Sequence, residues 1–358
     1  MTIFLVGLDN GNLYSEEKIW NLEDALDSAN NGDTIKLIEG FSPYYEGKKD
    51  SKAIVIHKDI TILGHVNQIE GVLHHTNLLN PIFIGNGANV TLKNIHIRVN
   101  KEKSNCLNIK ETSCVKVENV LIENESTSGQ NYPIIHISGN SDVNLNNVTI
   151  TPSPNLDGKN IVFIKDSTLT ASGCFLYTGV KGYSSNLNFE DVTIENTDTN
   201  GLYTTDQSTI NLNSVRINGG KLSEENNFPC VRLNDSKGTF KNITIEQLNY
   251  SEALSLLNSN ITITYSLVDS LSMYSSKVNI DFTEIAESLF VCNNSKIESK
   301  RIDILGRDNG KINFYANKNS SIEVDEINFG KKSSPNIRLE RNVIFNVEHI
   351  NFLSYGLL

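Results

Sequence analysis

Six side chains carry most of the chemistry this sequence could offer: Phe83, His136, Phe163, Lys181, Tyr203 and Arg232. Most sit at the centre of a short apolar triplet, as in Ile82-Phe83-Ile84, Ile135-His136-Ile137, Leu202-Tyr203-Thr204 and Val231-Arg232-Leu233. In an extended strand the flanking residues of such a triplet share one face and the central residue takes the other. If the flanks are core, the six central residues form an exposed file of rings and cations. Rings cover the C–H faces of sugars and guanidinium forks pair with carboxylates, so the file suits an extended polar or anionic glycan. The plainer account is that outward strand positions favour aromatic residues.

Catalysis needs more than the file supplies. Glu123, Glu125, Glu195, Asp198, Glu224 and Glu225 lie in neighbouring segments. Glycoside hydrolysis requires two carboxylates about 5 to 9.5 Å apart. A lyase requires a base beside a group that neutralises the substrate carboxylate, for which Lys181 or Arg232 would serve. His136, Lys181, Glu195 and Asp198 are therefore the catalytic candidates, although spacing alone specifies neither arrangement.

These residues must be positioned by a repeat. Ser141 to Ile150 reads SDVNLNNVTI, with alternating aliphatics, a break at Asn, then alternation again. The pattern returns as NVTLKNIHI, VKVENVLI, SNLNFEDVTI, STINLNSVRI and GTFKNITI. The position of Val148 is matched at Ile60, Ile95, Val120, Cys174, Val192, Val215, Ile243, Ser266, Thr283, Ile302, Ile327 and Ile350. Three short period-two strands in each unit of about 23 residues describe one turn of a parallel β-helix. Stacking in register extends the outward file to Lys36, Phe83, Asn108, His136, Phe163, Lys181, Tyr203, Arg232, Ser255, Ser272, Phe290, Asn313 and Arg338. Length variation falls mainly after the repeated pair, which gathers the long loops on one edge, where solenoids commonly bind. Asn94, Asn119, Asn147 and Asn242 stand where the chain bends; Asn tolerates a left-handed turn and can bond its counterpart in the next coil.

Helical periodicity is confined to residues 22 to 29, where Asn21 is placed to cap and Leu22, Ala25, Leu26 and Ala29 form an apolar stripe. LEDALDSANNGDTIKLIEG followed by DITILG resembles the N-terminal signature of the pectate lyase-like right-handed β-helix superfamily. That resemblance covers the chain at the level of fold and implies an all-β, right-handed parallel β-helix of about 13 coils with a short N-terminal capping helix. The expected organisation is residues 1–32 as strand and cap, 33–352 as β-helix and 353–358 as tail. The superfamily spans lyases, hydrolases, epimerases, phage tail proteins and non-enzymatic scaffolds. The sequence departs from its enzymes. Asn196-Thr197-Asp198 matches the first polygalacturonase element, but the Asp-Asp, Gly-His-Gly and Arg-x-Lys elements are missing, as are the calcium-ligating Asp set and Arg-x-Pro-x-x-Arg segment of pectate lyases.

The 358 residues carry 31 Lys and Arg against 42 Asp and Glu, for a net charge of −11. An acidic surface argues against nucleic acid and anionic membranes as partners. No apolar run reaches the roughly 20 residues of a membrane span, and MTIFLVG lacks a basic n-region, so the sequence as it stands reads as cytoplasmic, with non-classical export left open. Cys106, Cys114, Cys174, Cys230 and Cys292 have no metal spacing, and His74-His75 reads as a solvated pair in an irregular loop, so no cofactor or metal is expected. The apolar ending NFLSYGLL suits covering the last coil or pairing with another subunit or protein. The expectation is a non-catalytic body that recognises a polysaccharide, with a lyase or hydrolase of unfamiliar site and a protein-interaction scaffold as alternatives.

Overall fold

The computed structural model describes residues 1–6, 19–37, 53–69, 72–100, 104–125, 132–152, 161–195, 200–219, 229–246, 252–306, 311–330 and 334–353. The chain divides into two compact units, Met1–Thr178 and Gly179–Leu358. Each is a parallel β-helix in which every coil contributes a strand to three sheets. Two come from the repeated pair, here the leading sheet (as at Val143 and Leu145) and the trailing sheet (as at Val148 and Ile150). The third is the triplet sheet.

In the first unit the leading sheet is set by pairs such as Val90 with Val115 and Val115 with Val143, and the trailing sheet by Ile97 with Ile122 and Ile122 with Ile150. The triplet sheet stacks Ile54–Ile56, Ile82–Ile84, Leu107–Ile109, Ile135–Ile137 and Ile161–Lys165. In the second unit Leu187 pairs with Ile210 and Ile210 with Gly238, and Ile194 pairs with Ile217 and Ile217 with Ile245. The alternation in the sequence is the alternation in burial. Val143, Leu145, Val148 and Ile150 are fully buried, whereas Asn144 and Asn146 between them are exposed. Most coils bury the same positions against those above and below, so the core is a set of largely aliphatic files.

The N-terminal helix is Leu22–Ser28. Asn21 accepts from Asp24 N at 2.7 Å, and the buried Leu22 and Ala25 face the strands Ile3–Val6 and Asp33–Leu37. Lys58 Nζ donates to Asp27 O and Ala29 O, both at 2.8 Å, so an ammonium satisfies carbonyls at the helix C-terminus.

Both corners of the repeated pair use left-handed residues. At the bend between leading and trailing strands, Asn94, Asn119, Asn147 and Asn242 have φ of 57°, 52°, 53° and 51°. Asn119 Nδ2 donates to Asn94 Oδ1 at 3.3 Å and Asn147 Nδ2 to Asn119 Oδ1 at 2.7 Å. The other corner, before the leading strand, holds a feature not anticipated above: a stack of buried serines. Ser236 N donates to Ser259 Oγ at 3.2 Å, Ser259 N to Ser276 Oγ at 3.1 Å and Ser276 N to Ser295 Oγ at 3.2 Å. Ser141 and Ser167 repeat the contact in the first unit.

The structure corrects three register assignments and one loop assignment. Ile60 pairs with Val90 in the leading sheet, so it matches Val143 and not Val148. Lys36 pairs with Leu63, also in the leading sheet; Val55 precedes Phe83 in the triplet file. Asn313 pairs with Ser288, while Tyr315 lies between Phe290 and Arg338. His74 and His75 lie not in an irregular loop but in the strand Val72–Leu78, paired antiparallel with Val66–Ile69.

Candidate functional site

In the first unit the triplet sheet sets Phe83, Asn108, His136 and Phe163 in consecutive register. Their flanks Ile82, Ile84, Leu107, Ile109, Ile135, Ile137, Val162 and Ile164 are buried at 0 or 1% exposure, which turns the central side chains outward. The His136 and Phe163 rings meet edge to face at 5.3 Å, and Phe83 meets His57 in the same way at 5.9 Å. Burial, and then the nearby Lys110 ammonium, hold the His136 imidazole below its usual pKa and favour its neutral form. Asn108 Oδ1, between Phe83 and His136, is buried and accepts no hydrogen bond from a described residue.

The second unit has its own file. Lys181, Tyr203, Arg232, Ser255, Ser272 and Phe290 follow one another in register. Lys181 Nζ lies 5.1 Å from the Tyr203 ring centroid and 5.3 Å from that of Tyr183, and the two rings are 6.2 Å apart. Asn234 Nδ2 donates to the Tyr203 hydroxyl at 3.4 Å. Tyr183 and Asn234 were missed by the triplet reading; they stand two residues beyond Lys181 and Arg232, and the period-two rule that turns those cations outward turns these out as well. Ser272 departs from the expectation of an open file, because it is fully buried, and its Oγ, like Asn234 Oδ1, has no hydrogen-bond partner among the described residues. Polar atoms in this position normally find one.

Several outward cations elsewhere meet carboxylates, as in Lys93 with Glu118 at 2.8 Å, Arg216 with Glu246 at 2.9 Å and Lys296 with Glu298 at 2.8 Å. Lys181 and Arg232 form no ion pair with a described residue, so their charge is available to a ligand.

The described carboxylate candidates, Glu123, Glu125 and Glu195, do not converge here. Glu195 lies on the trailing strand Thr193–Glu195, in file with Asn218 and Glu246, on a different sheet from Lys181. In the first unit, Glu123 Oε2 is 3.1 Å from His96 Nε2, and Glu125 pairs with Arg98. Asp198, Glu224 and Glu225 lie outside the described residues. Among the described residues no group of three or more His, Cys, Asp or Glu is placed to hold a metal ion.

A scan against protein-family models finds no match, and a search of curated proteins finds none. Among solved structures, the chain is similar to the crystal structure of bacteriophage CBA120 tailspike protein 3, with a TM-score of 0.46 and 8% sequence identity. The superposition covers 96% of this chain and 61% of the tailspike chain, and at that identity the likeness concerns the fold alone.

Proposed function

We propose that this protein is a non-catalytic recognition body that binds an extended, carboxylate-bearing polysaccharide on its triplet sheets. The observation that carries the reading is the second unit's cluster, in which Lys181 sits over the rings of Tyr203 and Tyr183 with Arg232 two coils from Lys181. Sugar rings repeat at a spacing that a row of side chains about 4.8 Å apart can follow. Tyr183 and Tyr203 offer faces to C–H groups, while Lys181 and Arg232, which pair with no described carboxylate, offer donors to a ligand's carboxylates. In the first unit Phe83, Asn108, His136 and Phe163 provide an uncharged counterpart suited to the neutral parts of a glycan.

Titration calorimetry with polygalacturonate and with a neutral glucan tests the reading. Binding to the uronate polymer is expected, with a loss of about tenfold or more in Arg232→Ala, since a hydrogen bond to a charged group contributes about 1.5–3 kcal/mol. Tyr203→Ala is expected to lose affinity for both polymers if both bind. Release of unsaturated or reducing ends, abolished in Lys181→Ala, would instead establish a lyase or hydrolase. No binding to either polymer would remove the proposal.

A further inference from the structure

The last coil of the second unit ends in an edge that reads the same in both directions. Its strand, Ile344–Leu353, is IFNVEHINFL and pairs in parallel with Ser321–Gly330; among the described residues it has no partner on its other side. About a centre between Glu348 and His349, Ile344 mirrors Leu353, Phe345 mirrors Phe352, Asn346 mirrors Asn351 and Val347 mirrors Ile350. Glu348 mirrors His349, an accepting carboxylate against an imidazole that can donate to it.

The inward residues match as well. Phe345, Val347, Ile350 and Phe352 continue the files of Ile322, Val324, Ile327 and Phe329. Those four are 0 to 3% exposed, whereas Ile350 is 47% and Phe352 65% exposed. The Phe345 and Phe352 rings already rest on Phe314 and Phe329 at 5.8 and 5.6 Å. The core of the unit therefore runs out to this edge, where no described residue covers its last layer. An open strand edge with apolar residues beneath it is a template for another strand.

We infer that the occupant is the same edge of a second copy of this chain, joined about a two-fold axis through the corner at Glu348 and His349. Such an axis makes paired edges antiparallel and exchanges the two arms of the corner, so the leading arm of one copy meets the trailing arm of the other. Residues directly opposite in an antiparallel pair share a face. Phe345 then meets Phe352 of the other copy, and Val347 meets Ile350, all inward. Asn346 meets Asn351 outside the core, and each Glu348 carboxylate meets a His349 imidazole. One strand supplies both halves of a closed, isologous contact. A parallel pairing in register would instead place Glu348 against Glu348.

The test does not depend on glycan binding. Light scattering of the full chain at about 100 µM is expected to give the mass of a dimer, the range in which an interface of this kind is populated. Glu348→Lys, which sets two cations against two imidazoles, is expected to weaken the dimer at least tenfold. In a Cys114→Ser background, oxidised N346C/N351C is expected to give a covalent dimer, while N346C and N351C alone give none. Removal of residues 354–358 is expected to leave the dimer intact. A monomeric chain overturns the inference, as does a dimer formed only after that removal, which would place those residues over the coil. Equal cross-linking by the single variants overturns the register and with it the two-fold contact.

Discussion

Ser259→Ala probes whether the buried serine stack holds the coils in register. Ser259 is 3% exposed. Its Oγ accepts from Ser236 N at 3.2 Å and donates to Leu257 O at 2.9 Å, tying one turn to the next. Alanine fits the space but removes the acceptor of the Ser236 amide, which then stands buried with no other partner among the described residues. An orphaned buried donor costs about 1–3 kcal/mol, and the lost bond to the Leu257 carbonyl adds about 0.5–1.5 kcal/mol. The expected loss is about 1.5–4.5 kcal/mol. Ser275→Ala is the control: its Oγ donates to Asn293 O at 3.0 Å from an exposed position, where water replaces the bond, and alanine adds only part of the strain of its φ of 50°, so a loss below about 1 kcal/mol is expected. Urea unfolding followed by far-ultraviolet circular dichroism reads both as midpoint shifts at equal slope. If Ser259→Ala unfolds at the same urea concentration as Ser275→Ala, the stack is a by-product of sequence repetition and does not hold the coils together.

Two further outcomes follow from titrating groups. Asp33 receives Thr2 N and Asn30 N, and these bonds hold its carboxyl below the ordinary value of 3.8. A lowered folded-state value means stability that is present above pH 3.8 and lost as pH falls through the folded-state value. Asp33→Asn is therefore expected to destabilise the strand Ile3–Val6 at pH 7 and to make no further difference in strong acid, as read by acid titration of Trp20 fluorescence, whose ring packs on Phe4 at 5.2 Å. Burial pushes the thiols of Cys106, Cys174, Cys230 and Cys292 up, whereas Cys114 is only partly buried. A disulfide reagent is expected to label the native chain fastest at Cys114, with Cys114→Ser removing the fast phase and denaturation releasing the rest.

The β-helix was legible because its signal is redundant: the same inward positions return in every coil, and a single poor copy does not spoil the count. Register was harder. Sliding a period-two strand by two residues preserves its pattern of inward and outward faces, so alternation could not separate Asn313 from Tyr315, both of which point away from the core. Only the pairing of Phe290 with Tyr315 decides it. Lys36 failed for a related reason, since TIKLI alternates like any triplet and nothing local reports which of three sheets a strand joins. The six outward residues do emerge as two local files, one in each unit, because the burial of their neighbours is a local property.

The corners show what residue type conceals and stacking reveals. A left-handed backbone costs an ordinary L-residue about 1–2 kcal/mol, which is why Asn, Asp, Ser and Gly hold most such positions here. Tyr265 and Phe282 break the rule at the bend before the trailing strand, both with φ of 50°. They are successive coils of the same corner, following Asn242, and their rings stack at 5.4 Å with an interplanar angle of 5°. An aromatic pair contributes about 0.5–1.5 kcal/mol beyond the area it buries, enough to offset much of one residue's strain but not of two. Neither aromatic is favoured alone at its corner; each is made tolerable by its neighbour one coil away. Sequence read coil by coil sees two misplaced rings, and only the repeat brings them together.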